Sequence, residues 1–235
     1  MLSSILPFTP DLADRASQYC EDHSDVPPDS LLEHWVYTTQ KFGDADKMSS
    51  KLQGQWMIWL AEDRKPKRVL EIGTYSGFSA LAWYLGTRKT NAEIVTLEIN
   101  SEMIKAAKAA FEQFKATDRI RLVEGPAGES IETLTGEFDL IFVDANKDGY
   151  ESYVKQILDK KLLSAGGVIL ADNVFARGLT LGQEFAPHLS NAVRPYWTAN
   201  GVALDQFTKF LFEDERVSTV LLPLFDGVSL IKWKE

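Results

Sequence analysis

From Arg68 onward the chain alternates short apolar runs with stretches of helical periodicity, and few folds accommodate that alternation. The runs "RVLEIG" (68–73), "EIVTLEI" (93–99), "IRLVEG" (120–125), "FDLIFVD" (138–144) and "GGVILAD" (166–172) have strand length. They read as strands buried on both faces. Helices are expected between them over 77–86, 101–114 (with Ser101 as the N-cap), 129–134 and 150–160. Such an order packs as a parallel, doubly wound sheet with right-handed crossovers. After a helix over 205–213, "VSTVLLPL" (217–224) and "GVSLIKWK" (227–234) are separated only by Phe225 and Asp226, which predicts an antiparallel hairpin. The expectation is an α/β fold with a seven-stranded, mostly parallel sheet and an antiparallel last strand. Residues 1–67 look helical, with breaks at Pro27-Pro28 and around Gly43 and no core of their own. They read as a lid or packing segment of a single domain over 1–235, the core being 68–235.

A net charge of −9 and a pI near 5.0 disfavour a nucleic-acid partner, because a phosphate backbone requires a basic footprint. Cys20 is the only cysteine, so no intrachain disulfide framework exists. The first residues lack a basic signal-peptide start, and no run of about 18 apolar residues predicts a membrane span. A cytoplasmic setting follows as an expectation. His23, His34 and His188 show no metal-ligand spacing and read as surface or core residues.

Three features point to a ligand. In "LEIGTYSGFS" (70–79), Gly73 follows the first strand and Gly77 opens the next helix. Glycine at these places reads as close backbone approach for a ligand across the strand tip. Glu71 inside that first strand suits a cationic ligand group and would repel a pyrophosphate. Glu98 ends the second strand twenty-one residues beyond Gly77, where an acidic residue binds ribose hydroxyls in doubly wound folds. A nucleoside with a positive centre, S-adenosylmethionine, fits this pattern better than NAD, whose G-x-G-x-x-G spacing is missing. Finally, Asp144 ends one buried strand, and Asp172 and Asn173 end another. Two carboxylates and an amide carbonyl converging on one crevice suit Mg²⁺ or another hard divalent cation.

The segments "VLEIGTYSGFSALA", "FDLIFVDANKDGYESYV", "LLSAGGVILADNV" and "LPLFDGVSLIKWK" resemble the cation-dependent O-methyltransferases of the catechol and caffeoyl-CoA type, in matching order over roughly residues 45–235. The resemblance implies a Rossmann-like class I methyltransferase fold. It implies Asp144, Asp172 and Asn173 as metal ligands and Lys147 as the catalytic lysine. It further implies Ser49, Glu71, Gly73, Gly77, Ser79, Glu98, Ala127 and Asp144 as the cofactor contacts. Relatives are commonly homodimers, which implies one here. Two positions depart from the pattern. Asn146 stands where the family often has aspartate, and Ala176 stands where the caffeoyl-CoA enzymes tend to carry tryptophan.

The activity implied is methyl transfer to a hydroxyl of a small vicinal-diol aromatic of the catechol, caffeoyl or flavonoid type. Lys147 would serve either as a general base with a depressed pKa or as a fixed positive charge beside the phenolate. Trp35, Phe175, Tyr196 and Trp197 are candidates for an aromatic acceptor pocket. Two other readings compete: a nicotinamide-dependent oxidoreductase, and a non-catalytic binding protein that kept the fold.

Overall fold

The computed structural model describes residues 9–186 and 189–235, so His188 lies outside the described residues. The elements run α1 (Pro10–Asp22), α2 (Asp29–Lys41), α3 (Lys51–Arg64), β1 (Arg68–Ile72), α4 (Phe78–Gly86), β2 (Glu93–Glu98), α5 (Ser101–Gln113) and β3 (Ile120–Glu124). They continue with α6 (Ala127–Thr133), β4 (Phe138–Val143), α7 (Tyr150–Asp159), β5 (Leu163–Asp172), α8 (Arg194–Glu213), β6 (Val217–Leu222) and β7 (Val228–Trp233). The sheet order is β3-β2-β1-β4-β5-β7-β6. β1 to β5 are parallel neighbours, and β7 inserts antiparallel between β5 and β6. The seven-stranded, mostly parallel sheet with an antiparallel last strand is therefore present. The strand order reverses between β1 and β4, and at such a reversal the loops beyond the strand tips diverge and leave a crevice.

Period-two alternation along buried strands divides the core into two layers. Leu70, Ile72, Ile141, Val143, Ile169 and Ala171 face a layer built with Val154, Ile157, Leu204 and Phe207 of α7 and α8. Val69, Leu140, Phe142 and Leu170 face the opposite way, onto Met57, Ile58 and Ala61 of α3, the helix α4, and Ala107 and Phe111 of α5. Leu31 of α2 joins this second layer, so α2 and α3 share the core of the sheet. Glu71 shares its parity with Val69 and so projects toward the α4 side, out of contact with bulk solvent.

Several local expectations need correction. The N-cap of α5 is Asn100, not Ser101: its side-chain oxygen accepts from the backbone N–H groups of Glu102 (2.9 Å) and Met103 (3.3 Å). The β6–β7 register pairs Leu222 with Val228, so five residues form the turn rather than two, with Phe225 and Gly227 both at positive φ. β5 begins at Leu163, earlier than residue 166, and a register irregularity between Leu163 and Val168, opposite Phe138 and Leu140, interrupts its pairing with β4. α8 begins at Arg194, eleven residues before the expected start. No helix among the described residues is long and apolar enough to cross a membrane.

Candidate active site

Beyond the carboxyl ends of β1, β2, β4 and β5 lies a cavity of about 1100 Å³. It brings together Ser49, Gly73, Ser79, Glu98, Ala127, Asp144, Lys147, Asp172 and Asn173 from the sequence-derived set. Tyr196 and Trp197 also line it, whereas Trp35 and Phe175 do not. Trp35 instead donates its indole N–H to the Ser49 carbonyl (3.3 Å), and Phe175 packs beneath Gly227.

Two of the expected cofactor contacts are absent from the cavity wall, Glu71 and Gly77. A Cβ on Gly77 would meet the Phe111 ring at 2.8 Å, so that glycine serves helix packing rather than ligand approach. At Gly73 the obstacle is also protein: a Cβ would stand 2.0 Å from the carbonyl oxygen of Asp144. Both glycines have φ above +90°, which L side chains adopt only under strain.

Glu71 is wholly buried. Burial pushes its carboxyl up to about 8, with the Thr96 and Ser79 hydroxyls only partly opposing the shift. Its Oε2 accepts from Thr96 Oγ1 (2.6 Å), while Oε1 has no hydrogen-bond partner. A buried acceptor without a donor is costly unless a ligand supplies one. The folded state binds a proton here that the unfolded state releases near the ordinary 4.5. This group's contribution to stability is therefore present in full below that value and declines as pH rises toward about 8. The slope is about 1.4 kcal/mol per pH unit. In cofactor-free protein, Glu71→Gln should flatten the fall of melting temperature between pH 5 and 8. An unchanged slope in a thermal unfolding series would contradict the protonated, buried state.

Glu98 is used differently from the expectation. Its Oε2 accepts from the backbone N–H groups of Thr74 (3.2 Å) and Tyr75 (2.8 Å), and its Oε1 from those of Ile99 (3.0 Å) and Asn100 (2.8 Å). All four lone-pair directions of the carboxylate are thus engaged by backbone. The glutamate ties the turn after β1 to the tip of β2, and a ribose hydroxyl can enter only by exchange, most readily for the long Thr74 bond.

The residues that end β4 and β5 meet around one ammonium. Lys147, buried, donates to Asp144 Oδ1 (2.8 Å), Asn173 Oδ1 (3.0 Å) and the Tyr150 hydroxyl (2.7 Å). Three protons thus have three acceptors. Tyr150 in turn donates to the Asp172 carbonyl (2.9 Å). Burial pulls the Lys147 pKa down, but Asp144 and Tyr150 outweigh it and hold the group above its ordinary range. That direction is opposite to the depression a general-base role calls for. Asp172 is pushed up to about 7, first by burial and then by the Asp144 charge. Gln53 Nε2 (2.5 Å) and the Asn173 N–H (2.8 Å) bind its two oxygens.

Sequence reasoning missed Gln53, Tyr150 and the pair Asp46–Arg177. Gln53 stands 119 residues from Asp172 and Asp46 stands 131 from Arg177, so no local pattern links them. Tyr150 is three residues after Lys147, a spacing that was visible within "NKDGY" but carried no role. Ala176 is buried away from the cavity, and its neighbour Arg177 faces it. His34 is a core residue whose Nε2 donates to the Ser76 carbonyl (3.0 Å), pinning α2 to the glycine-rich turn.

Comparison with known proteins agrees with this geometry. Residues 21–234 match the O-methyltransferase family. A crystal structure of the SAH-bound Podospora anserina methyltransferase PaMTH1 is 62% identical, with 100% of both chains covered and a TM-score of 0.98. The O-methyltransferase hkm8 of Aspergillus hancockii is 36% identical over 98% of each chain. Caffeoyl-CoA O-methyltransferase 5 of Nicotiana tabacum is 31% identical, covering 77% of this chain and 74% of its own. With the doubly wound sheet and a cavity at its carboxyl edge, these matches place the chain in the O-methyltransferase family, among the S-adenosylmethionine-dependent enzymes similar to the caffeoyl-CoA O-methyltransferases.

Proposed function

We propose that the protein transfers the methyl group of S-adenosylmethionine to one hydroxyl of a small vicinal-diol aromatic, with a divalent cation held by Asp144, Asp172 and Asn173. The observation that carries this reading is the convergence of those three side chains, from two strand tips, with Lys147 Nζ lying 2.8 Å and 3.0 Å from Asp144 and Asn173 oxygens. An ammonium drawn between two hard oxygen donors, and a buried carboxyl, Asp172, raised first by burial and then by the Asp144 charge, describe a site with an affinity for positive charge. Among the described residues no three His, Cys, Asp or Glu side chains are placed to hold a metal ion together, and the third donor of the proposed set is the Asn173 amide.

Such a cation would supply Lewis-acid polarisation of the acceptor oxygens and lower the pKa of the hydroxyl. The chain's own groups do the rest. Lys147, kept cationic, stabilises negative charge growing on the acceptor oxygen, a role the arrangement favours over that of a general base. Tyr196 and Trp197, with rings 5.5 Å apart, offer apolar faces for an aromatic ring. Ser49, Gly73, Glu98 and Ala127 line the part of the cavity assigned to the cofactor. The partnerless Glu71 Oε1, with Ser79 between it and the cavity wall, suits the cofactor's cationic end, with water as the intermediary. The reading extends to the whole chain as one catalytic domain and to a homodimer, the latter supported by the exposed Val220 and Leu221 on edge strand β6.

Incubation with methyl-labelled S-adenosylmethionine tests the acceptor class. Label should pass to catechol and caffeoyl- or flavonoid-type diols and not to the matched monohydroxy compounds. Equal turnover of a monohydroxy analogue would remove the chelated-diol reading.

A further inference from the structure

The acceptor end of the cavity contains a charge arrangement that methyl transfer does not require. Three cations line the cavity, Lys47, Lys147 and Arg177, and each is already paired to an acid: Asp44 (2.7 Å), Asp144 (2.8 Å) and Asp46 (2.7 Å). Asp172 and Asp226 add further carboxyl groups to the same cavity. A negatively charged acceptor would therefore find no free cation among the described residues.

Arg177 is held with unusual care. Ala176, Arg177 and Gly178 all have positive φ, a sequence of backbone conformations that needs outside support. That support is Asp226, whose two carboxylate oxygens accept the Arg177 backbone N–H (3.0 and 2.8 Å). The turn lays the guanidinium over the Trp197 ring at 4.3 Å, with Asp46 Oδ2 at its edge. A planar guanidinium stacked on an aromatic wall is the arrangement that binds carboxylates, and Asp46 occupies that place. An acceptor carboxylate would have to displace it, exchanging one anion for another while losing its own hydration, with no net gain.

We propose that Asp46 and Arg177 form a charge filter: Asp46 fills the anion position of Arg177, and the enzyme thereby selects uncharged vicinal-diol aromatics over carboxylate-bearing ones. Arg177 and Asp46 are specificity determinants, and the assignment rests on the acceptor reading given above. The test compares 3-(3,4-dihydroxyphenyl)propanoate with its methyl ester, which differs in charge and little else. The ester-to-acid ratio of kcat/KM should exceed about 10 in the wild type and fall at least about tenfold in Asp46→Asn, where Arg177 is released. It should return to within about threefold of the wild-type ratio in Asp46→Asn/Arg177→Gln. Taking the ratio within each variant cancels differences in folded fraction. Calorimetric affinities of the two compounds for protein loaded with S-adenosylhomocysteine should follow the same pattern. An unchanged ratio in Asp46→Asn, or a fall that persists without Arg177, overturns the filter. If neither compound is methylated by the wild type, the acceptor reading fails, and the calorimetric ratios still decide the filter.

Discussion

Replacing Lys147 by methionine should lower kcat for methyl transfer by about 10²–10³-fold, the usual cost of removing one preorganised charge from a developing oxyanion. The cofactor should still bind, because the hydrogen bonds of Lys147 go to Asp144, Tyr150 and Asn173 and not to Ser49, Glu98 or Ala127. The loss also carries a structural cost. Asp144 and Asn173 lose a shared donor, and the Tyr150 hydroxyl loses its contact with the ammonium. Asp144 keeps a side-chain exposure of 19% and rehydrates in part, so the melting temperature should fall by less than removing one partner of a fully buried pair implies. The pH profile separates the two chemical roles. A lysine held above its ordinary range remains charged throughout the neutral range, so wild-type kcat should show no proton release that disappears in Lys147→Met. A unit slope of log kcat against pH, present in the wild type and absent in the variant, would establish the general base instead.

Gly73→Ala should be the most damaging small substitution in the chain. The residue has φ +99°, and its new Cβ would lie 2.0 Å from the Asp144 carbonyl oxygen and 2.7 Å from the carbonyl carbon. Neither atom belongs to a flexible side chain. The backbone at the tip of β4 must move, and with it the site at Asp144 and Lys147. Destabilisation above about 3 kcal/mol is expected, combining the strained φ with overpacking against backbone. Denaturant unfolding of the variant measures it; a loss below about 1 kcal/mol would show that the two strand tips yield independently. Gly77→Ala meets the Phe111 side chain instead, which can rotate, so its cost should be the smaller.

The strands were legible because parallel strands carry short, mainly apolar runs, and the five runs from 68 to 172 required no tertiary knowledge, although β3, at the sheet edge, is only partly buried. β5 was underestimated at its start, where Ser164, Ala165, Gly166 and Gly167 dilute the apolar signal. The first half of α8 was invisible for a related reason. Pro195, Asn200 and Gly201 weaken the helical pattern, yet Gly201 is required because a Cβ there would press on Leu179 at 3.0 Å. Asp144, Lys147, Asp172 and Asn173 were legible because they lie at or just beyond strand ends, and topology gathers strand ends at one edge. Glu71 and Gly77 stand out in the sequence as ligand contacts, but neither lines the cavity: Glu71 is wholly buried in β1, and a Cβ on Gly77 would meet Phe111. Gln53 and Asp46 could not be found, since each acts on a residue more than a hundred positions away.

On the proposed reading, Asp144, Asp172 and Asn173 hold a divalent cation that the reaction needs. Protein stripped by a chelator and dialysed into metal-free buffer should transfer label from S-adenosylmethionine to catechol at least about 10²-fold more slowly than the same preparation given Mg²⁺. Asp172→Asn should require more Mg²⁺ to reach half of its own maximum rate. Full turnover by the stripped protein, unchanged when the cation is returned, would contradict the account.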